Sequence, residues 1–235
     1  MNTPQTDRNR LLLHEQLLLL ALHDEKGTVA SRGGFLNLAL GGAMVVELLI
    51  SGHIQLVPRG KKSPLVELVH DEPTGDALLD AALEKLRKSK RRASITTWVS
   101  RLSGIRKIRD LAALHLCETG ILASRERKIL GIFPSTAYPE LDHRPEEELI
   151  GEIHRVVTTD CDDYDESIAL LITIADAANM LSVAIPRREL KQYKSRLKYI
   201  AENSPFPETG KATADAVAAA IVTVTSAATA AAMAG

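Results

Sequence analysis

The sequence predicts a mainly α-helical fold: one helical domain around a buried central helix, with two short β-hairpins. Three observations carry that prediction. The composition is 45% hydrophobic but only 3% aromatic, so Leu, Ala, Ile and Val, mostly good helix formers, must fill the core. Two segments, Phe35 to Ile50 and Ile168 to Val183, are apolar almost all round over helical lengths, as core helices are. Two pairs of short β-prone runs are each separated by a charged turn.

The totals narrow the function classes. The 235 residues contain no repeat and no long linker, so 11–235 reads as a single domain after a disordered polar segment over 1–10. With 29 basic and 30 acidic residues the net charge is -1, so any attraction to anions must come from local clusters. Cys117 and Cys161 are too few for a disulfide framework or a four-ligand zinc site, and read as small buried hydrophobes in a reducing cytoplasm. A polar start, and the interruption of the next apolar run by His14, Glu15 and Gln16, argue against a secretory leader.

In chain order, Leu11 to Leu22 is the first helix, ended by Asp24-Glu25-Lys26-Gly27. Phe35 to Ile50 is the central one, interrupted by Glu47 and C-capped by Gly52. His53 to Val57 and Leu65 to Val69 form the first hairpin around the basic turn Arg59-Gly60-Lys61-Lys62. A helix follows Pro73, with Thr74 or Asp76 near its cap and an apolar face of Leu78, Leu79, Ala82, Leu83 and Leu86. Lys85 to Arg92 is a basic run. Ser94 caps a short helix carrying Trp98, Val99 and Leu102. Arg106 to Thr119 is the next helix, closed by Gly120.

Ile121 to Ala123 and Ile129 to Phe133 read as paired strands around Ser124-Arg125-Glu126-Arg127. Pro145 starts a helix whose Glu146, Glu147 and Glu148 suit the N-terminal dipole. Ile168 to Val183 ends before Pro186, and Arg187 to Ile200 is amphipathic and basic. Ala212 to Met233 is Ala- and Thr-rich, and the 19 residues from Val217 onward carry no charge. Ala and Thr supply little transfer energy, so this reads as a buried terminal helix rather than a membrane anchor.

The chemistry-bearing feature is Arg106-x-x-Arg109. Residues three apart share a helix face, and two guanidinium forks near a helix N-terminus suit a phosphate. The plainer reading is a pair of solvated or carboxylate-paired arginines. Arg101 and Lys107 add local positive charge. Asp160 to Glu166 lacks the glycine and the terminal glutamate of a calcium loop and reads as an acidic helix start. The seven histidines show no metal spacing, Gly33-Gly34 and Gly41-Gly42 fit no nucleotide fingerprint, and no enzyme signature or cofactor is indicated. A winged helix with Lys61 and Lys62 in its wing is the DNA-binding alternative, weakened because the preceding helix is too apolar for a groove.

At this point the chain resembles a known family. The run from Leu17 to Gly27, the run Ala43 to Leu56, the block Pro73-Thr74-Gly75-Asp76-Ala77-Leu78-Leu79-Asp80, Trp98, Leu102-Ser103-Gly104, the Arg106-x-x-Arg109 segment and Gly120-Ile121-Leu122 are together similar to Golgi phosphoprotein 3 proteins. The resemblance, to a short bacterial-type member, spans about Leu11 to Ala220. It implies a single helical domain that binds phosphatidylinositol 4-phosphate at a membrane surface and holds membrane-protein clients. It also implies self-association through the hairpin of Leu122, Ile129, Leu130, Ile132 and Phe133.

Arg106 and Arg109 match two arginines of the family's lipid pocket. The pocket's tryptophan falls on Arg32 and its remaining arginine on Gly41. The first change removes an apolar wedge. The second removes a charge-assisted contact worth roughly 1.5–3 kcal/mol, which Arg32 would partly replace from another direction. The reading is therefore a non-enzymatic, cytoplasmic protein peripheral to membranes, Golgi-located only in a eukaryote. Its ligand would be an anionic phospholipid headgroup held by Arg106, Arg109 and Arg32. A second copy of the chain and a membrane-protein client are further partners it admits, nucleic acid is not, and the alternative is a self-associating module without lipid binding.

Overall fold

In the computed structural model, residues 10–22, 27–28, 35–60, 62–129, 133–203, 218–219 and 222 are described, with backbone alone at 62–63, 128–129 and 133–134. The first helix among the described residues has no solvent face. All nine residues of α1 (Leu13–Ala21) are buried, including His14, Glu15 and Gln16. Its leucines each contribute about 1.5–3 kcal/mol on burial, which sets the scale against which three buried polar groups must be compensated. The sequence reading put α2 (Leu36–Ile50) alone at the centre; α1 shares that place and packs along it.

The compensation is specific. Glu47, the one acid of α2, accepts from the Leu13 amide at 2.5 Å and from His14 Nδ1 at 2.8 Å. His14 Nε2 faces Asp76 at 3.5 Å, a charge contact beyond good hydrogen-bond range. Burial works against a charge on His14, but Glu47 and then Asp76 outweigh it and raise the imidazole to about 10. Burial would also raise Asp76; His14 and the Leu79 and Leu78 amides outweigh it and hold that carboxyl below its usual range. Glu15 takes the Leu12 amide at 2.7 Å and His115 Nδ1 at 2.7 Å. Buried charge thus ties α1 to α2, to the cap of the third helix and to the sixth.

Around this centre the elements follow their local signals. Gly52, at φ 76°, lets the chain leave α2. Then β1 (Ile54–Arg59) and β2 (Lys62–Leu68) pair antiparallel, Ile54 opposite Leu68. A two-residue β3 (Ala93–Ser94) joins β2, making three strands where a plain hairpin was expected. Asp76 caps α3 (Ala77–Arg87) by accepting from the Leu79 amide at 2.8 Å, while Thr74 donates to Asp80. Ser94 caps α4 (Ile95–Ser103), whose Trp98, Val99 and Leu102 are buried. α4 lies along α2.

The expected helix over Arg106 to Thr119 is two short ones, α5 (Ile108–Ala112) and α6 (Leu114–Glu118). Gly120, at φ 77°, ends the second as predicted. The second hairpin is shifted: β4 (Arg125–Ile129) and β5 (Phe133–Ala137) pair with Arg125 opposite Ala137. The charged run expected to turn is itself a strand. Arg125, Glu126 and Arg127 are exposed there, and an exposed ribbon does not need the apolar alternation that the reading looked for.

The last third comprises α7 (Arg144–Thr158), α8 (Glu166–Ala177), α9 (Arg187–Leu190) and α10 (Lys194–Asn203). Asp165 caps α8, in line with the acidic helix start. α8 stops at Ala177 rather than Val183 because Asn179 takes a left-handed φ of 57°, and a 3₁₀ turn over Leu181–Val183 follows. Of the Ala-rich terminus only Ala218, Ala219 and Val222 are described, all helical. Among the described residues no helix is long and apolar enough to cross a membrane.

Candidate functional site

The site segment is a turn held by apolar neighbours. After Ser103 the chain closes with the Ile105 amide on the Leu102 carbonyl, 2.9 Å, and Ile108 enters the core at 4% exposure. Arg106 and Lys107 lie between two anchored isoleucines and are both exposed. Lys107 adopts φ 58°, ψ 31°. A left-handed non-glycine residue costs on the order of 1–3 kcal/mol and breaks helical continuity. Arg106 is therefore outside the helix, and the expected sharing of one helical face does not occur: Arg106 is on the turn and Arg109 in the first turn of α5.

Both guanidinium groups still belong to one short exposed stretch. Arg109 donates from Nε to Asn37 Oδ1 at 2.9 Å, a neutral partner 72 residues away. Asn37 stands in the first turn of α2, whose N-cap, Phe35, offers no side-chain acceptor. Two features converge there: a guanidinium and the positive end of a 15-residue helix dipole with no side-chain cap among the described residues. Neither Arg106 nor Arg109 has a carboxylate within ion-pair distance among the described residues. Asp110, next in sequence, is taken up by the Tyr138 hydroxyl at 2.7 Å. Burial and Asp110 together push that hydroxyl above its usual range. Arg101 adds a third exposed guanidinium, stacked 5.1 Å from the Trp98 ring.

The other expected site residues divide. Arg32, Leu130 and Ile132 lie outside the described residues. Ile129 and Phe133 face each other in register at the end of the ribbon. Leu122 belongs to neither strand; it is 1% exposed and forms an isolated bridge with Glu140, so it serves the core rather than the hairpin surface. Gly41 is buried where α2 crosses α4: a Cβ there would stand 2.6 Å from the Val99 carbonyl oxygen and 3.0 Å from the Ser103 amide nitrogen. The position aligned with a pocket arginine is a helix contact and has no room for a side chain.

Sequence reasoning missed Asn37 and its place in the first turn of α2. The signal was faint: a lone polar residue in the first turn of an apolar helix with no capping side chain before it. Among the described residues no cluster of His, Cys, Asp or Glu could hold a metal ion. The His14 cluster is closed to solvent and ties helices together. The hairpin that suggested a DNA-binding wing follows α2, which is buried and cannot enter a groove.

The family described as Golgi phosphoprotein 3 (GPP34) matches residues 13–224. Vacuolar protein sorting-associated protein 74 of Schizosaccharomyces pombe (strain 972 / ATCC 24843) is 28% identical over 175 residues, covering 67% of this chain and 51% of that protein. The chain thus spans about half the length of that relative.

Proposed function

The chain belongs to the Golgi phosphoprotein 3 family, and from that premise we propose a peripheral, non-enzymatic adaptor that binds the phosphate of an anionic phospholipid headgroup, of the phosphatidylinositol 4-phosphate class, through Arg106 and Arg109. One observation carries the reading: among the described residues, two exposed guanidinium groups have no carboxylate partner, and one of them is fastened by Asn37 in the first turn of α2, which has no side-chain cap there. A phosphate there meets fork-shaped donors and a helix dipole of the right sign. Arg32 is the third cation of the proposal. With Gly41 committed to packing, phosphate affinity is favoured over tight selection of one inositide.

Flotation on phosphatidylcholine vesicles doped with phosphatidylinositol 4-phosphate tests this. Wild type is expected to float. Arg106→Ala/Arg109→Ala is expected to bind more weakly by about tenfold or more, since each charge-assisted bond contributes about 1.5–3 kcal/mol. Binding should also fall as salt shortens the Debye length below about 8 Å. Equal flotation of the two proteins removes the arginine site.

A second reading rests on the β4–β5 ribbon, which forms a two-stranded sheet of its own. Its strands keep outer edges that can pair with a second copy. Deleting 125–137 is expected to convert a self-associating species to a monomer in size-exclusion chromatography. An unchanged profile counts against it.

A further inference from the structure

A second recess starts at Phe35, the N-cap of α2, and extends along the last helices. The end of α8, the 3₁₀ turn, α9, α10 and the described C-terminal residues enclose a groove of about 900 Å³. That is within the size range of small-molecule pockets, about 300–1,000 Å³. Phe35, Ile172, Leu181, Leu190 and Leu197 make its floor apolar, and Ala218, Ala219 and Val222 form one wall. Arg187, Lys191, Lys194 and Lys198 stand along it, opposed by a single acid among the lining residues, Asp176. All four cations are exposed. Lys198 lies 3.6 Å from Glu202, while Arg187, Lys191 and Lys194 make no ion pair among the described residues.

An independent observation marks the groove as built for a ligand. Ser182 is 5% exposed and lines it, yet its Oγ has no hydrogen-bond partner among the described residues. An orphaned buried hydroxyl costs on the order of 1–3 kcal/mol, which a ligand oxygen would offset once the floor side chains give way to bare the sealed Oγ. Asn179, forced into φ 57° at the end of α8, adds an amide to the same wall.

We propose that this groove binds an amphiphilic anion, a single aliphatic chain ending in a phosphate, with the chain on the leucine floor and the phosphate among Arg187, Lys191 and Lys194. Charge complementarity selects the occupant: a neutral chain leaves the cations unused, and a bare phosphate leaves the floor wet. The groove abuts the start of α2 through Phe35 but shares no cation with the arginine turn.

Calorimetric titration of the full chain with decyl phosphate below its micelle concentration, decanol and inorganic phosphate tests the proposal. In the Arg106→Ala/Arg109→Ala background, which removes the phosphate site of the arginine turn, decyl phosphate is expected to bind at one saturable site, about tenfold tighter than either control. Lys191→Glu/Lys194→Glu, which changes only exposed side chains and is checked for fold by circular dichroism, should weaken it by about tenfold or more. Wild type should show the same groove affinity beside any binding at the arginine turn. Four results overturn the proposal. Decanol binding equally well means a merely greasy recess, and an unaffected lysine variant removes the cation contact. Loss in the arginine variant moves binding to the other site. Absence of saturable binding means that the groove takes no such ligand.

Discussion

His14→Gln is expected to lower the melting temperature by on the order of 10 °C, because it leaves the largely buried carboxylates of Glu47 and Asp76, one on each ring nitrogen of His14, without their cation. Breaking a buried ion pair by removing one partner costs about 3–5 kcal/mol, a large share of a domain's total stability. The pH dependence has a definite sign. His14 is raised from 6.5 to about 10 in the folded chain, so its contribution is complete below about pH 6.5 and is lost as pH rises through about 10. Asp76 is held low, so its contribution is present above its unfolded value near 3.8 and is lost as pH falls through its lower folded value. Melting temperatures measured from pH 6 to pH 10 should fall more steeply for wild type than for His14→Gln. Parallel curves would show that the folded chain does not hold a proton on His14.

Gly41→Ala is expected to destabilise despite gaining helix propensity. Alanine in a helix interior is favoured over glycine by about 1 kcal/mol. Against this, the new Cβ meets the Val99 carbonyl at 2.6 Å and the Ser103 amide at 3.0 Å. These are backbone atoms that no rotamer change can move, and overpacking costs about 1–3 kcal/mol. Overpacking wins, and a loss of several degrees in melting temperature is expected. Gly41→Arg, which would restore the aligned pocket arginine, should fail to give a cooperative folded state, because its side chain starts inside the α2–α4 contact. A folded Gly41→Arg variant with tighter vesicle binding would refute this packing argument.

Much of the fold was legible in the chain. Helix caps are local: Asp76 and Ser94 sit beside the amides they accept from, and both stand where sequence placed them. Gly52 and Gly120 take the positive φ that their positions after helix ends suggested. The misreadings arose where one residue's backbone overrode a good pattern. Lys107 and Asn179 carry no steric mark of a left-handed conformation, so the segment 106–119 and the run 168–183 each looked like a single helix. The hairpin ribbon was displaced because apolar alternation is a signal of burial, and β4 is exposed.

The candidate site was half legible. Arg106 and Arg109 stand out by spacing and charge, and both are exposed as a ligand requires. Their geometry was not legible, because it depends on the Lys107 turn and on Asn37, 72 residues earlier. What the sequence by itself determined is the class of the fold, its caps, its apolar central helix and the arginine segment, since each is encoded within a few turns of chain. What only the tertiary structure decided is which polar residues are safe in the core and which surfaces are open. His14 and Glu47 look like flaws in two apolar helices until the fold brings them within 2.8 Å of each other. Gly41 looks like a lost ligand position until α4 is laid across it. A buried charge or a missing side chain acquires its meaning from a partner distant in sequence, and packing supplies that partner.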